Sequence, residues 1–449
     1  MNLSPLDGIL LGGMISTPEM RVVFEETNFI QKILDVEAAL AAAEEELGIL
    51  PRDIAQDIIN KANLNYIDLA ESKEIAARTG HFLIAITKSW EKKIGPAGQY
   101  VHLGVTTQDV SDTAMVLLVR DAYNLIVRDL EIIKKNLIKL AVKYKDTPMA
   151  GRTHIVHAVP MTFGFKVAIW LDEVDRSLQR WKEMKERLLT GNITGAVGTF
   201  ATFGEKGIEV QKRTLKRLGL NVPNICWHAA RDRFGEFVNE MALTASSLSK
   251  IAQQVLILMR PEILEISEPS SPGHIGSSTM PQKINPVLSE SSIALTRILR
   301  GYALTMTEAL ETYDERSFST WLAEFVIIPE GCLFMSAIAN NVKLITEGLH
   351  VYPENMLKNL QLSKGMINAE NVMMALGNFI GKQKAHEIIV DVTKKAWKED
   401  KTLEEVLLDN DVVNKHMKPD TNKNLCDPLS YTGLSSIIVD EVVQKIEKG

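Results

Sequence analysis

The chain has 449 residues, about three times the ~150 that serve as a prior for one domain, so a single compact core is a poor description and two or three domains are expected. Its 45% hydrophobic and 24% charged residues are ordinary for a globular protein and exclude wholesale disorder, collagen-like and low-complexity chains. With 50 Lys and Arg against 57 Asp and Glu, the net charge is −7 and no basic block occurs, which argues against nucleic acid as the main partner.

Cys226, Cys332 and Cys426 are an odd, widely spaced set without a CxxC, so neither a disulfide framework nor a cysteine-based zinc site is supported, and a reducing cytoplasmic setting fits. The N-terminal stretch lacks a basic leader and no run of ~20 apolar residues follows, so no export signal or membrane span is expected.

In chain order, the first hundred residues predict shorter helices over Met20 to Leu47, Asp53 to Lys61 and Thr79 to Trp90. From Thr113 to Thr147, 35 residues contain neither Pro nor Gly and carry apolar residues at helical spacing, among them Leu117, Leu118, Ile126, Ile133 and Leu137. Such a helix would be roughly 45 to 50 Å long. Further long helices are predicted over Thr162 to Thr190, Phe237 to Arg260, and Val287 to Ile328 between Pro286 and Pro329. Helices of this length pack side by side as a bundle. Runs such as Met115 to Val119 and Gln253 to Met259 are apolar nearly all round and need burial on more than one face, which oligomerisation through the bundle would supply; a large monomeric core is the alternative. After His350 and Pro353 the chain returns to shorter helices, broken at Gly365, Gly377 and Gly381. The expectation is an all-α protein divided as 1–105, 106–350 and 351–449.

One segment interrupts the helical pattern sharply. In Ser267 to Pro286, eleven of twenty residues are Ser, Gly or Pro, and a loop of that length between long helices calls for a functional reason. Its hydroxyls, backbone donors and the ammonium of Lys283 suit an anion, with a flexible polar connection as the bland alternative. Three shorter breaks lie at helix ends, where backbone donors favour anions: His102 to Asp109, Gly151 to Pro160 and Thr194 to Thr199.

The run GSSTMPQKINP, Gly276 to Pro286, resembles the signature GSSxMPxKxNP of the fumarase/aspartase superfamily at eight fixed positions. HLGVTTQDVSDTA resembles that superfamily's first shared region, and GRTHIVHAVPMTFG with GNITGAVGTFATFG its second, all in the family's order. The resemblance is strongest to the branch of adenylosuccinate lyase and 3-carboxy-cis,cis-muconate cycloisomerase. It implies an all-α homotetramer with active sites shared between subunits, a small dicarboxylate or tricarboxylate substrate, and β-elimination that commonly releases fumarate without metal or organic cofactor.

Removing a proton next to a carboxylate creates a dianionic aci-carboxylate, which requires converging donors and cations. Lys283, Asn285 and the loop backbone with Ser278 and Met280 suit that task, and the resemblance assigns the base to Ser277 and the general acid to His154. It places Thr106, Thr107 and Gln108 on carboxylate oxygens, with Arg21, His81, His102 and Arg316 as further contacts. Arg231 and Arg233 are additional candidates, set against a solvated helix face.

The departures are informative. Adenylosuccinate lyases resemble one another in a segment HERDxSHSSAER that holds the nucleotide phosphate, whereas this chain has Trp321, Leu322 and Phe325 where Ser, Ser and Arg would stand, and no Arg-Tyr pair precedes Met20. An apolar wall cannot replace bidentate phosphate binding. Because the resemblance puts His154 at the position of the adenylosuccinate lyase general acid, which cycloisomerases commonly lack, it implies C–N cleavage, and without the phosphate contacts the expected substrate is an N-substituted aspartate lacking a phosphate. Adenylosuccinate lyase proper, the muconate cycloisomerase and a non-catalytic crystallin-like protein are the alternatives.

Overall fold

Long helices set the architecture: Thr107–Lys143, Phe163–Leu188, Asp232–Leu258, Val287–Glu308 and Phe318–Gly348, of 37, 26, 27, 22 and 31 residues. The computed structural model describes residues 6, 8, 10–269, 279, 280 and 282–448. The fold is all-α, with only two small antiparallel pairs of strands among the described residues.

The first long helix begins at Thr107, six residues ahead of the expected Thr113. The polar run Gln108, Asp109, Ser111 and Asp112 reads as a loop in the sequence, yet all four side chains are buried. Asp109 makes this possible by accepting from the Thr106 N–H at 3.1 Å, the reciprocal half of a capping box. The expected helix from Val287 to Ile328 is instead two helices, parted where Asp314 takes a φ of 50°. The second of these runs through Pro329 rather than stopping there. Ile327, Ile328, Cys332 and Met335 around the proline are all buried, so packing offsets the missing backbone hydrogen bond.

The break before the second long helix is a β-hairpin, Pro148–Thr153 paired with Val156–Thr162. The sequence pattern shows no clean alternation there, because a bulge between Ala150 and Arg152 shifts the register. A second pair joins Ile266–Ser267 to His350–Val351.

The chain divides into two compact units. The first comprises Met1–Leu130, Ser177–Ser249 and Ser291–Asn340. Its core holds Trp181, Trp227, Phe234 and Phe237, with Trp181 donating from its indole to Thr244 at 3.0 Å and accepting from the Tyr123 hydroxyl at its carbonyl. The second comprises Glu131–Arg176, Lys250–Glu290 and Asn341–Gly449, and its C-terminal helices close around Leu376, Ile389, Val392, Leu403 and Leu407. Asp232–Leu258 and Phe318–Gly348 are long and apolar enough to cross a membrane, but 56% and 67% of their most apolar windows are buried inside the protein.

Candidate active site

In the first unit, His81 caps the helix Phe82–Ile94 by accepting from the Ile84 N–H at its Nδ1, 3.3 Å away. That acceptance fixes the tautomer with the proton on Nε2, which points at the Thr107 hydroxyl 3.4 Å away. His81 and Thr107 are both partly exposed, so a substrate oxygen can share this contact.

His102 sits at a φ of 62° and is gripped by Glu37, whose carboxylate accepts from its backbone N–H at 3.1 Å and meets its Nδ1 at 2.7 Å. Burial works against the imidazolium, but Glu37, Asp109 and Glu91 outweigh it and raise the His102 pKa. An imidazole that holds its proton more readily in this way is suited to a carboxylate. Two turns along the same helix from Glu37, burial and the Glu37 charge push the Glu44 carboxyl up to about 9.

Asp109 is the hub that shapes the loops. Fully buried, it accepts from the backbone of Thr106, Thr194 and Gly195, the last two at 2.9 and 2.8 Å, and from His228 Nε2 at 2.9 Å. Gln108 is turned inward: it is 2% exposed and donates to the His228 carbonyl at 3.0 Å, so it supports this hub rather than presenting its amide to solvent. Arg231 is likewise not on a solvated face. It is buried between Asp112 at 2.6 Å and Glu324 at 2.8 Å and lies over the Trp227 ring, a structural ion triad. Arg21 donates to Ser16 at 2.6 Å and to the Leu6 carbonyl at 2.9 Å, and the exposed Arg316 donates to the Ala196 carbonyl at 2.7 Å.

The second unit carries the other group of candidates. His154 and Ile155 are the two residues at the tip of the hairpin, with φ of 49° and 67°. Positive φ at both centres is the geometry of a tight hairpin turn that Asn-Gly normally fills, and a β-branched Ile there is strained. Both side chains are exposed, Ile155 at 93%, so the hairpin holds an imidazole out at its tip. Just behind the tip, Arg152 forms a bidentate pair with the fully buried Glu265 at 2.6 and 3.0 Å.

The segment from Ser267 to Pro286 is anchored at both ends by one carboxylate. Glu268 accepts from the backbone of Leu288 at 3.2 Å and Ser289 at 2.7 Å, tying the start of the loop to the helix that follows it. Asn285 faces a cavity of about 400 Å³ that Glu268, Leu288, Leu344 and Glu347 also line. Lys283 and Met280 are exposed, the Lys283 N–H bonding the Met280 carbonyl at 3.0 Å. Ser277 and Ser278 lie outside the described residues. The structure thus joins His81 with Thr107 in one unit, and carries His154, Lys283 and Asn285 on the other. Glu37, Asp109 and His228 were missed by sequence reasoning; an acidic residue inside the alanine-rich helix Glu26–Glu46 was the one available signal, for Glu37. Among the described residues, no cluster of His, Cys, Asp or Glu is arranged to hold a metal ion.

Residues 14–300 match the lyase family and residues 365–442 the adenylosuccinate lyase C-terminus. The chain is 42% identical over 439 residues to N-acetyl-S-(2-succino)cysteine lyase of Dickeya dadantii, spanning 98% of this chain and 97% of the relative. It is 39% identical to adenylosuccinate lyase of Pyrococcus abyssi, across 96% of each. It superposes on the crystal structure of 3-carboxy-cis,cis-muconate lactonizing enzyme from Pseudomonas putida with a TM-score of 0.92 at 33% identity, covering 98% of this chain and 99% of that one. With the shared loops, the helical fold and this near-complete coverage in hand, the chain belongs to the fumarase/aspartase superfamily of β-elimination lyases.

Proposed function

We propose that this chain eliminates a thiol from a 2-thio-substituted succinate, releasing fumarate. One observation carries the reading: an aromatic wall beside the His81–Thr107 contact. Phe82 stacks on His81 at 6.3 Å, and Phe82, Trp321 and Phe325 lie with ring centroids 5.4 to 6.0 Å apart, with Phe29 edge-on to Phe325. Leu322, the third substituted position, is 51% exposed and stands apart from the wall. Aromatic faces pack against the apolar part of a leaving group and offer no bidentate donor to a phosphate. The 42% identity to N-acetyl-S-(2-succino)cysteine lyase supports sulfur at the leaving position, in place of the nitrogen expected from the sequence.

In this mechanism Thr106, Thr107, His81 and His102 hold one carboxylate, with Gln108 bracing their loop through His228. Lys283, Asn285 and the Ser278 to Met280 segment hold the carboxylate that gains charge, Ser277 removes the proton, and His154 protonates the leaving atom. The site is completed in a homotetramer, the hairpin tip of one subunit meeting the loops of others. A thiol of pKa about 8.5 can depart with little help from an acid, whereas an amine must be protonated as it leaves. C–N cleavage of an N-substituted aspartate is the second reading, favoured by the presence of His154 at the hairpin tip.

Fumarate release from N-acetyl-S-(2-succino)cysteine, adenylosuccinate and an N-alkyl aspartate, compared under identical conditions, tests the choice. We expect kcat/KM for the thioether to exceed the others by more than about tenfold. Adenylosuccinate turned over as fast as the thioether would overturn the proposal.

A further inference from the structure

Glu37 holds His102 at two points. One carboxylate oxygen accepts from the His102 backbone N–H at 3.1 Å, and the other meets the ring Nδ1 at 2.7 Å. The Glu37 side chain is 2% exposed and the imidazole 24%, so Nδ1 is committed inward and Nε2 is the ring nitrogen available to a ligand. The backbone is braced as well. His102 sits at a φ of 62°, and at Gly104, with a φ of 76°, a Cβ would fall 2.5 Å from the Phe203 ring. The segment is thus pressed between Phe203 and the helix start at Thr107, whose Asp109 accepts from the Thr106 N–H at 3.1 Å. The charged groups around the ring come from three helices: Glu37 and Glu44 on Glu26–Glu46, Glu91 beside Lys88 on Phe82–Ile94, and Asp109, paired with His228, on Thr107–Lys143. Burial pushes the Glu44 carboxyl up to about 9, so the negative charge beside the ring is that of Glu37. Burial of the ring opposes its protonation, but Glu37, Asp109 and Glu91 together prevail and raise the His102 pKa.

We propose that Glu37 is the positioning residue of a carboxylate subsite: it turns the His102 Nε2–H outward and supplies the charge that makes the ring a cation, so that a dicarboxylate binds together with the ring's proton. The inference rests on His102 meeting a substrate carboxylate. A carboxylate beside Nε2 favours the imidazolium, and by reciprocity the charged ring favours the carboxylate. Where the ring is already charged, binding takes up no proton. As pH rises through the His102 pKa, affinity falls and each binding event takes up a proton. Glu37→Gln separates geometry from charge. Its amide oxygen still accepts from the backbone N–H and its NH2 can donate to Nδ1, which leaves the ring in place but neutral, with its proton on Nε2.

The test is calorimetric titration of the full-length protein with succinate, an unreactive dicarboxylate, in buffers of different ionisation enthalpy from about pH 6 to about pH 9. For the parent we expect affinity to decline on the alkaline side, with proton uptake approaching one per site. E37Q should bind succinate about tenfold more weakly near pH 7 and move the decline about 1 to 3 pH units lower. H102Q should abolish the decline, and E37Q should add no further loss in that background. A decline that E37Q leaves in place overturns the inference. A loss that is the same at every pH and persists in H102Q assigns Glu37 a purely structural role and overturns it too, as does failure of the parent to bind succinate. One measurement needs no folded E37Q: at pH 6.5, the ordinary imidazole value, nitrogen NMR of histidine-labelled parent should show the His102 ring, identified by its loss in H102Q, more charged than neutral. A mostly neutral ring overturns the inference. Succinate is bound without reaction, so failure of every 2-substituted succinate to release fumarate would count against the elimination reading alone.

Discussion

Arg152 and Glu265 form a bidentate ion pair, 2.6 and 3.0 Å long, that ties the His154 hairpin, two residues from its tip, to the residue just ahead of the short strand Ile266–Ser267. Glu265 is fully buried and is also held by Asn359 at 3.0 Å. Removing one partner of such a pair leaves an uncompensated charge away from water. Glu265→Gln should therefore lower the unfolding free energy by about 3 kcal/mol or more, measured by urea denaturation, and should lower kcat more than it raises KM. A loss below about 0.5 kcal/mol would mean that solvent reaches Arg152 freely.

Ile155 should show the opposite balance of stability and activity. At a φ of 67° and 93% exposure, it contributes no core packing and bears the strain of the turn. Ile155→Gly should stabilise the protein by about 1 kcal/mol in the same denaturation measurement. It should reduce kcat, because a glycine tip lets the neighbouring imidazole wander. Stabilisation with full activity would show that the turn's strain has no bearing on catalysis.

How much of this was legible beforehand depended on where polar side chains find their partners. The loop and the three helix-end breaks stand out in composition, because Ser, Gly and Pro cluster where the backbone must expose donors. The helix start at Thr107 was hidden, since Gln108, Asp109 and Asp112 are polar yet buried, and their partners at His228, Thr194 and Arg231 lie some 80 to 120 residues away. Pro329 misled for a related reason: local propensity marks a stop, while tertiary packing of Ile327, Ile328 and Cys332 keeps the helix going. The hairpin escaped notice because its bulge breaks the alternation and its turn uses His and Ile where a hairpin usually shows Asn and Gly.

His154 separates the two leaving atoms. General acid catalysis contributes about 10² to 10⁴ in rate when the leaving group must be protonated. If sulfur leaves, His154→Asn should cost less than about tenfold in kcat with N-acetyl-S-(2-succino)cysteine, while the same variant should lose most of its activity toward an N-alkyl aspartate. Equal losses on both substrates would assign His154 to binding or orientation instead of proton transfer.

Glu44 should give the first unit a distinctive pH dependence. Its carboxyl is 1% exposed, and burial with the nearby Glu37 charge raises its folded pKa from 4.5 to about 9. The folded state then holds a proton that the unfolded state releases above pH 4.5, so the unfolded chain binds fewer protons and stability falls as pH rises. The decline begins near the unfolded pKa and levels off once the pH passes about 9, with a limiting slope of about 1.4 kcal/mol per pH unit from this one group. His102 acts in the same direction. Its raised folded pKa adds stability that is fully present below the unfolded value near 6.5 and is lost as pH rises through the folded one. Glu44→Gln keeps the shape and removes the proton release, so urea denaturation between pH 5 and pH 9 should show a markedly flatter decline than the parent, with the difference widest at the alkaline end. A parent and variant with parallel profiles would show that Glu44 ionises inside the folded protein and that its burial is relieved by solvent or by a rearrangement around Glu37.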